Sequence, residues 1–262
     1  MADTQIHPSA IVEPGAELGQ GVRIGPFCHV GAQVRLGEGV ELKSHVVVAG
    51  DTEIGEGTVI FPFASIGQAP QDLKFGGERT RLVIGARNRI REYVTMNPGT
   101  AGGGGLTQVG DDGLFMSSSH VAHDCRIGNH VILVNSVAIA GHCVLEDEVI
   151  VGGLSGVHQF VRIGRGAMIG ALSMVTADVL PHGLVSGPRG QLEGLNLVGL
   201  KRRGASRAEI AALRELLAAL GSGSLRETAQ LRAEGEVTAM EREVLDFILG
   251  PSDRSFLRPP AK

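Results

Sequence analysis

Tryptophan is missing from this chain, tyrosine occurs once, and aromatic residues make up 3% of its 262 residues. An interior built on large rings is therefore excluded, whereas a narrow one filled with aliphatic side chains is not. No apolar run approaches the ~20 residues that a membrane-spanning helix needs. The opening segment MADTQIHPSAIVEPG has no basic region followed by an apolar stretch. Neither membrane insertion nor a secretory leader is expected, and the location is read as cytoplasmic. Positive charge is not in excess: the formal net charge is −4, which argues against nucleic-acid binding through a basic surface. Cysteine is limited to three residues, too few for a disulfide framework.

What is abundant is glycine, with 39 residues, and a period of six. Every sixth residue is aliphatic from Ile6 through Val12, Leu18, Ile24 and Val30 to Ile66. The beat returns at Ile84, Ile90 and Met96, then runs from Val109 to Val175. A glycine often follows the repeat position, as at Gly19, Gly25, Gly31 and Gly37. A period of six fits neither an amphipathic helix nor an alternating strand; it predicts a hexapeptide parallel β-helix, three hexads to a triangular coil. Cys28, Cys125 and Cys143 each stand two residues before a repeat aliphatic, at the small inward position, so buried thiols are expected rather than a nucleophile.

The hexads fill residues 1–185 except for two insertions, 68–82 (QAPQDLKFGGERTRL) and 97–108 (NPGTAGGGGLTQ), which must project as loops and are natural binding elements. No Lys-Ser/Thr follows the run Gly102–Gly105, so a phosphate-binding P-loop is excluded and a flexible loop expected. Residues 186–262 are predicted to be an α-helical C-terminal domain. Capping-box patterns stand at Ser206/Glu209, Ser224/Glu227 and Thr238/Glu241, and Ile210, Leu213, Leu217 and Leu220 keep helical spacing behind the first. Such a tail would cover the open end of the last coil.

The chemistry-bearing residues cluster. His120, His123, His142 and His158 fall at outward positions. His123 lies one coil from position 141, which makes His142 its neighbour, flanked by Asp124, Gly141 and Gln159. A neutral imidazole suits general-base work on a hydroxyl. Asp124 could orient its ring, although neighbours on a strand point to opposite sides. The competing reading is zinc held by three histidines, as in γ-class carbonic anhydrases, but their pair of histidines five residues apart is absent; no metal and no cofactor are expected. Lys201–Arg203 is either a solvated basic patch at a helix start or a site for a diphosphate or an acidic carrier protein.

The stretches SHVAHDCRIGN (119–129), GVHQFVRIG (156–164), QDLKFGGERT (71–80), NRIREYVT (88–95) and GLKRRGASR (199–207) resemble the acyl-carrier-protein–UDP-N-acetylglucosamine O-acyltransferases, which perform the first step of lipid A biosynthesis. The likeness runs nearly end to end and weakens after about residue 220. It implies a left-handed parallel β-helix, an all-β solenoid with an α-helical tail, and a homotrimer with sites between subunits. It further implies that His123 is the general base on the glucosamine 3-hydroxyl, attacking a 3-hydroxyacyl thioester on acyl carrier protein, with the Gly141 amide at the oxyanion. His120 and His142 match sugar-contacting positions. Asp72 matches a group binding the acyl β-hydroxyl, and Gln71 and Lys74 come from the same loop. Asn196, Arg202 and Arg203 match the nucleotide end, and Ala171, with Met168, the stop of the acyl groove. The chain departs from the family pattern at Arg189, where relatives carry histidine, and at Val198, where they carry an acid.

Other hexapeptide proteins fit less well. The N-acyltransferase of the same pathway has an N-terminal uridine-binding domain, whereas hexads here begin at residue 6; serine acetyltransferases place their helices before the solenoid. A pure scaffold needs neither the histidine row nor the loops. Arg87, Arg89, Arg91, Arg162 and Arg165, with the Lys201–Arg203 cluster, are expected to attract an acidic carrier protein.

Overall fold

The computed structural model describes residues 3–221 and 223–258. Two-residue strands, one outward residue followed by the inward repeat aliphatic, stack into three parallel sheets that form the faces of a left-handed triangular prism. The first face starts with Gln5–Ile6, the second with Ile11–Val12 and the third with Glu17–Leu18. Register holds one residue column in the interior: Ile6 pairs with Ile24, Ile24 with Leu42, and Leu42 with Ile60. The repeat aliphatics from Ile24 onward are almost wholly buried, each worth about 1.5–3 kcal/mol of transfer free energy.

Pairing shows where the insertions leave the coil. The usual spacing of eighteen residues widens to thirty between Ile60 and Ile90 and to twenty-five between Ile90 and Phe115. Both insertions are shorter than the lapse of hexads suggests. Arg81–Ile84 and Leu106–Val109 are four-residue strands of the third face, so residues 81–82 and 106–108 belong to the sheet, not to loops. Leu82 and Thr107 are fully buried there.

Corner residues repeatedly adopt the left-handed conformation, including the non-glycine Phe27, His45, Phe63, Tyr93, Asp124 and His142. Along the corner joining the first and second faces, Phe27, His45, Phe63 and Tyr93 stack in sequence with ring centroids 5.0, 4.9 and 5.2 Å apart. Phe27, Phe63 and Tyr93 are exposed, as are Leu154 and Leu172 farther along the same edge. The three cysteines lie inside the coil as free thiols, and burial raises the Cys28 and Cys125 thiols, which disfavours thiolate chemistry.

The β-structure runs past residue 185: Gly183–Ser186 pairs antiparallel with Gln191–Leu195 and closes the first face. Met174 bonds to the 188–190 segment and closes the second face, and Val179 bridges Ile163 on the third. Among the described residues four helices follow: α1 (Leu197–Arg202), α2 (Arg207–Leu220), α3 (Leu225–Ala233) and α4 (Ala239–Leu249). Ser206 and Thr238 form complete capping boxes, but the Ser224 side chain makes no capping bond among the described residues. Leu213, Leu216, Leu220 and Val244 pack on Leu180, Pro181 and Leu195 at the coil end. The cluster 201–203 ends a helix instead of starting one, where the partial negative charge of the helix terminus favours cations.

Candidate active site

The corner between the second and third faces carries the histidines. His123 and Asp124 are adjacent, but a corner is not a strand: Asp124 turns into the left-handed region (φ 59°), and the two side chains converge. His123 Nδ1 lies 2.8 Å from Asp124 Oδ2, and both residues are buried. A carboxylate only accepts, so the proton of the neutral ring sits on Nδ1 and the lone pair on Nε2. Nε2 lies 3.9 Å from Asp72 Oδ2, near the start of the first insertion loop.

Asp124 is held by the second insertion. Thr100 donates through its backbone N–H at 2.9 Å and through Oγ1 at 2.6 Å to the two carboxylate oxygens, and the Asp124 N–H donates to Thr107 Oγ1 at 2.7 Å. The glycine run is a close-fitting strap, not a slack loop: a Cβ on Gly103 would stand 2.3 Å from each Asp124 oxygen. Nothing in the sequence marks Thr100, Thr107 or Gly103 as partners of Asp124: a glycine run permits close approach, but does not say to what.

One coil on, Gly141 takes the place equivalent to His123. A side chain there would meet the His123 ring at 2.5 Å, and the Gly141 N–H finds no acceptor among the described residues. His142 stacks on Phe160 with centroids 4.4 Å apart and stands edge-on to His123 at 5.0 Å. Its Nε2 is 3.8 Å from Asp124 Oδ2. Burial pushes His142 below the ordinary histidine value, as it does His120, whose Nδ1 lies 2.7 Å from Thr95 Oγ1. Both rings are thereby kept neutral near pH 7.

A groove of about 450 Å³ opens over this corner and the second face. It gathers Gln71, His120, His123, Gly141, His158 and Gln159, over a floor of Ala138, Ala140 and Gly156. Asn97 also lines it: Nδ2 donates to Gln68 O at 3.0 Å, while the buried Oδ1 has no donor among the described residues. In the sequence Asn97 stands out only as the first residue of the second insertion. Lys74 is exposed, and His158 accepts from Arg254 Nη2 at 2.6 Å.

The remaining predicted residues lie elsewhere. A second cavity of about 600 Å³ on the first face is lined by Met168, Asn196, Val198, Arg202 and Arg203. The Asn196 side chain is engaged in the fold: Oδ1 accepts from Gly199 N at 2.9 Å, capping α1, and Nδ2 donates to Gly166 O at 3.1 Å. Ala171 is exposed at the corner between the first and second faces. Within one chain, therefore, the histidine group and the arginine group do not meet.

Most of the arginines expected to attract a carrier are already paired. Arg87 reaches Asp111 and Asp112, Arg91 reaches Glu92, Arg162 reaches Asp178, and Arg165 reaches Glu148. No such pair is formed by Arg89, Lys201 or Arg202 among the described residues.

Donor atoms of His123, Asp124 and His142 lie within 4.8 Å of one another, close enough for a cation. The nearest Asp124 oxygen, however, already receives His123 Nδ1 and Thr100 Oγ1. Those bonds favour a proton-transfer pair over a metal centre.

Residues 178–257 match the family model for domain 2 of UDP N-acetylglucosamine O-acyltransferase, and residues 15–50 match the bacterial transferase hexapeptide model. A Paracoccus denitrificans protein named acyl-(acyl-carrier-protein)–UDP-N-acetylglucosamine O-acyltransferase is 75% identical over 99% of both chains. A Rhizobium johnstonii protein of the same name is 53% identical over 97% of this chain and 95% of its own. Among solved structures, a UDP-N-acetylglucosamine acyltransferase superposes with a TM-score of 0.95 at 43% identity, covering 98% of this chain and all of the other. The Campylobacter jejuni enzyme superposes with a TM-score of 0.92 at 37% identity over the same shares.

Proposed function

The chain belongs to the acyl-carrier-protein–UDP-N-acetylglucosamine O-acyltransferase family, and from that premise we propose that it transfers an (R)-3-hydroxyacyl group from acyl carrier protein to the glucosamine 3-hydroxyl of UDP-N-acetylglucosamine, the first step of lipid A biosynthesis, in the cytoplasm. The observation that carries this reading is the His123–Asp124 pair, with Nδ1 fixed on the carboxylate and Nε2 turned to the groove.

In this mechanism Nε2 takes the 3-hydroxyl proton as the sugar oxygen attacks the thioester carbon, and Asp124 stabilises the imidazolium that forms. The Gly141 N–H donates to the developing oxyanion. As the tetrahedral intermediate collapses, the carbon–sulfur bond breaks and the imidazolium returns its proton to the carrier thiolate. No covalent enzyme intermediate, metal or cofactor is required. Gln71, Asp72 and Lys74 hold the acyl β-hydroxyl and its surroundings, His120, His142, His158 and Gln159 the sugar and donor, and Asn196, Arg202 and Arg203 the nucleotide end.

The separation of the two groups supports a homotrimer. The histidine groove lies on the second face and the arginine cavity on the first, on either side of the corner with the exposed ladder Phe27–His45–Phe63–Tyr93. A threefold axis along that corner sets the first face of one copy against the second face of the next. It completes three sites and buries the ladder. Two measurements test this. Purified protein given UDP-N-acetylglucosamine and a panel of 3-hydroxyacyl carrier proteins should yield the 3-O-acylated sugar nucleotide, and light scattering should give three times the 27.3 kDa chain mass. Absence of transfer with every donor rejects the activity; a monomer that retains full turnover rejects the shared site.

A further inference from the structure

Arg203 is held by a buried histidine outside the groove. His182 stands at the corner following the last coil, 2% exposed and in the left-handed region (φ 60°). Its Nδ1 is 3.1 Å from Arg203 Nη2, and its Nε2 is 3.0 Å from Glu243 Oε2 on α4. A guanidinium has no acceptor, so the Arg203 contact requires a lone pair on Nδ1. The ring proton must then lie on Nε2, donated to Glu243. The contacts leave one neutral tautomer.

The guanidinium is fixed on its other sides too. Arg203 Nε is 3.1 Å from Glu148 Oε2, and the group lies flat on Gly166, where a Cβ would stand 2.5 Å from Nη2. Arg165 closes the cluster, reaching Glu148 at 3.2 Å and Glu243 at 3.5 Å. No hydrogen bond from Arg203 Nη1 occurs among the described residues, and Arg203 borders the first-face cavity.

We propose that His182 is a positioning residue: by accepting from Nη2, and being itself held by Glu243, it orients the Arg203 guanidinium so that its free edge meets the diphosphate of the sugar nucleotide. This rests on the function proposed above and adds to it a link from α4 to the nucleotide end. The link is pH-sensitive in one direction. A second proton on His182 removes the lone pair and puts an imidazolium against the guanidinium. Glu243 and Glu148 offset that repulsion without restoring the bond. Burial holds His182 below its ordinary value of 6.5, so the bond persists through neutral pH.

Amide replacements separate the two contacts. Asn tolerates the left-handed backbone and places an oxygen near Nδ1; Gln reaches towards Glu243 and leaves Arg203 without an acceptor. The experiment compares steady-state kinetics of the parent, His182→Asn, His182→Gln and His182→Phe, each with a melting curve. Loss of a hydrogen bond to a charged group predicts that KM for UDP-N-acetylglucosamine rises about tenfold in the Gln and Phe variants at nearly unchanged kcat, while Asn stays near the parent. In the parent, that KM should also rise on acidification below the ordinary histidine value of 6.5, a rise the Asn variant lacks. A folded Gln variant with the parental KM, or a parental KM independent of pH, overturns the positioning role. A parent that transfers no acyl group counts against the proposed function instead, and direct calorimetry with UDP as probe then still decides whether Gln weakens binding.

Discussion

His123 and Asp124 are neighbours in sequence whose side chains meet, with Nδ1 and Oδ2 2.8 Å apart at a corner where Asp124 is at φ 59°. The pair fixes the tautomer and leaves Nε2 free to act as the proposed base. His123→Ala should therefore lower kcat by about 10²–10⁴-fold, the usual contribution of a general base. Asp124→Asn should lower it by at least about 10²-fold, because an amide can stabilise the wrong tautomer. Both proteins should retain the parental melting temperature within a few degrees. Turnover within a few-fold of the parent in His123→Ala would move the base to His142, and loss of activity on dialysis against a chelator would restore the metal reading.

Gly141→Ala tests the open space beside the base. The added methyl would stand 2.5 Å from His123 Cε1 and 2.7 Å from Nε2, so the ring must shift. A misplacement of about 1 Å costs about 10²-fold in rate. The expected result is a fall of that size in kcat with KM for the sugar nucleotide changed much less. Unaltered kcat would place the reacting hydroxyl elsewhere.

The hexad beat shows the architecture directly because a solenoid repeats its burial pattern every side, so inward residues from Ile24 to Val175 could be assigned one by one. The outward histidines were legible for the same reason, since coil spacing places His123 next to position 141. The strap over Asp124 was not. Thr100 and Gly103 lie in an insertion without period, and their partner is set by the path of the loop, not by spacing. The Asp124 orientation was equally hidden, because strand alternation does not apply at a corner. Helix α1 is hidden in the sequence because it is short and its cap, Asn196, belongs to no capping box, so the sequence alone points to a helix start at Lys201–Arg203, where the helix ends.

That strap gives a prediction of its own. Thr100→Val removes the 2.6 Å bond to Asp124 Oδ2 and leaves a buried carboxylate one donor short. Gly103→Ala forces the loop off the same carboxylate. Each should lower kcat about tenfold or more, and Gly104→Ala, whose Cβ would meet nothing within 4 Å but whose φ is 95°, should mainly affect stability. Equal kinetics for all three would make the loop irrelevant to catalysis.

Stability should fall on the acid side, starting near neutrality. His120, His142 and His182 are all held below the ordinary 6.5 by burial, so the unfolded chain binds more protons as pH drops. A depressed folded value leaves stability intact above the unfolded one and removes it progressively below. Melting temperature should be nearly level from about pH 7 to 8 and decline below about 6.5. Glu92, held at about 2 by Arg91, adds a further loss between its usual 4.5 and that value. A melting temperature that rises on acidification to pH 5.5 would contradict the burial assigned to these rings.

The last prediction concerns chain length. Ala171 lies after Met168–Ile169 on the first face, whereas His123 follows His120–Val121 on the second. The two positions are forty-eight residues or eight hexads apart, two coils and two sides, so in the proposed trimer Ala171 would reach the groove from a neighbouring subunit. At about 4.8 Å per coil the axial offset is roughly 13 Å. An extended acyl chain advances roughly 1.3 Å per bond, given carbon–carbon bonds of about 1.5 Å, so a groove closed at Ala171 should hold about ten carbons, and a donor of about ten to twelve carbons is expected. Met168, in the first-face cavity, is the second residue placed to close it. Ala171→Gly removes one methyl from the stop and should move the donor preference towards longer 3-hydroxyacyl chains. Competition assays with carriers bearing ten to sixteen carbons read this directly. A parent that favours fourteen or more carbons, or an identical profile in the glycine variant, would put the stop at another residue.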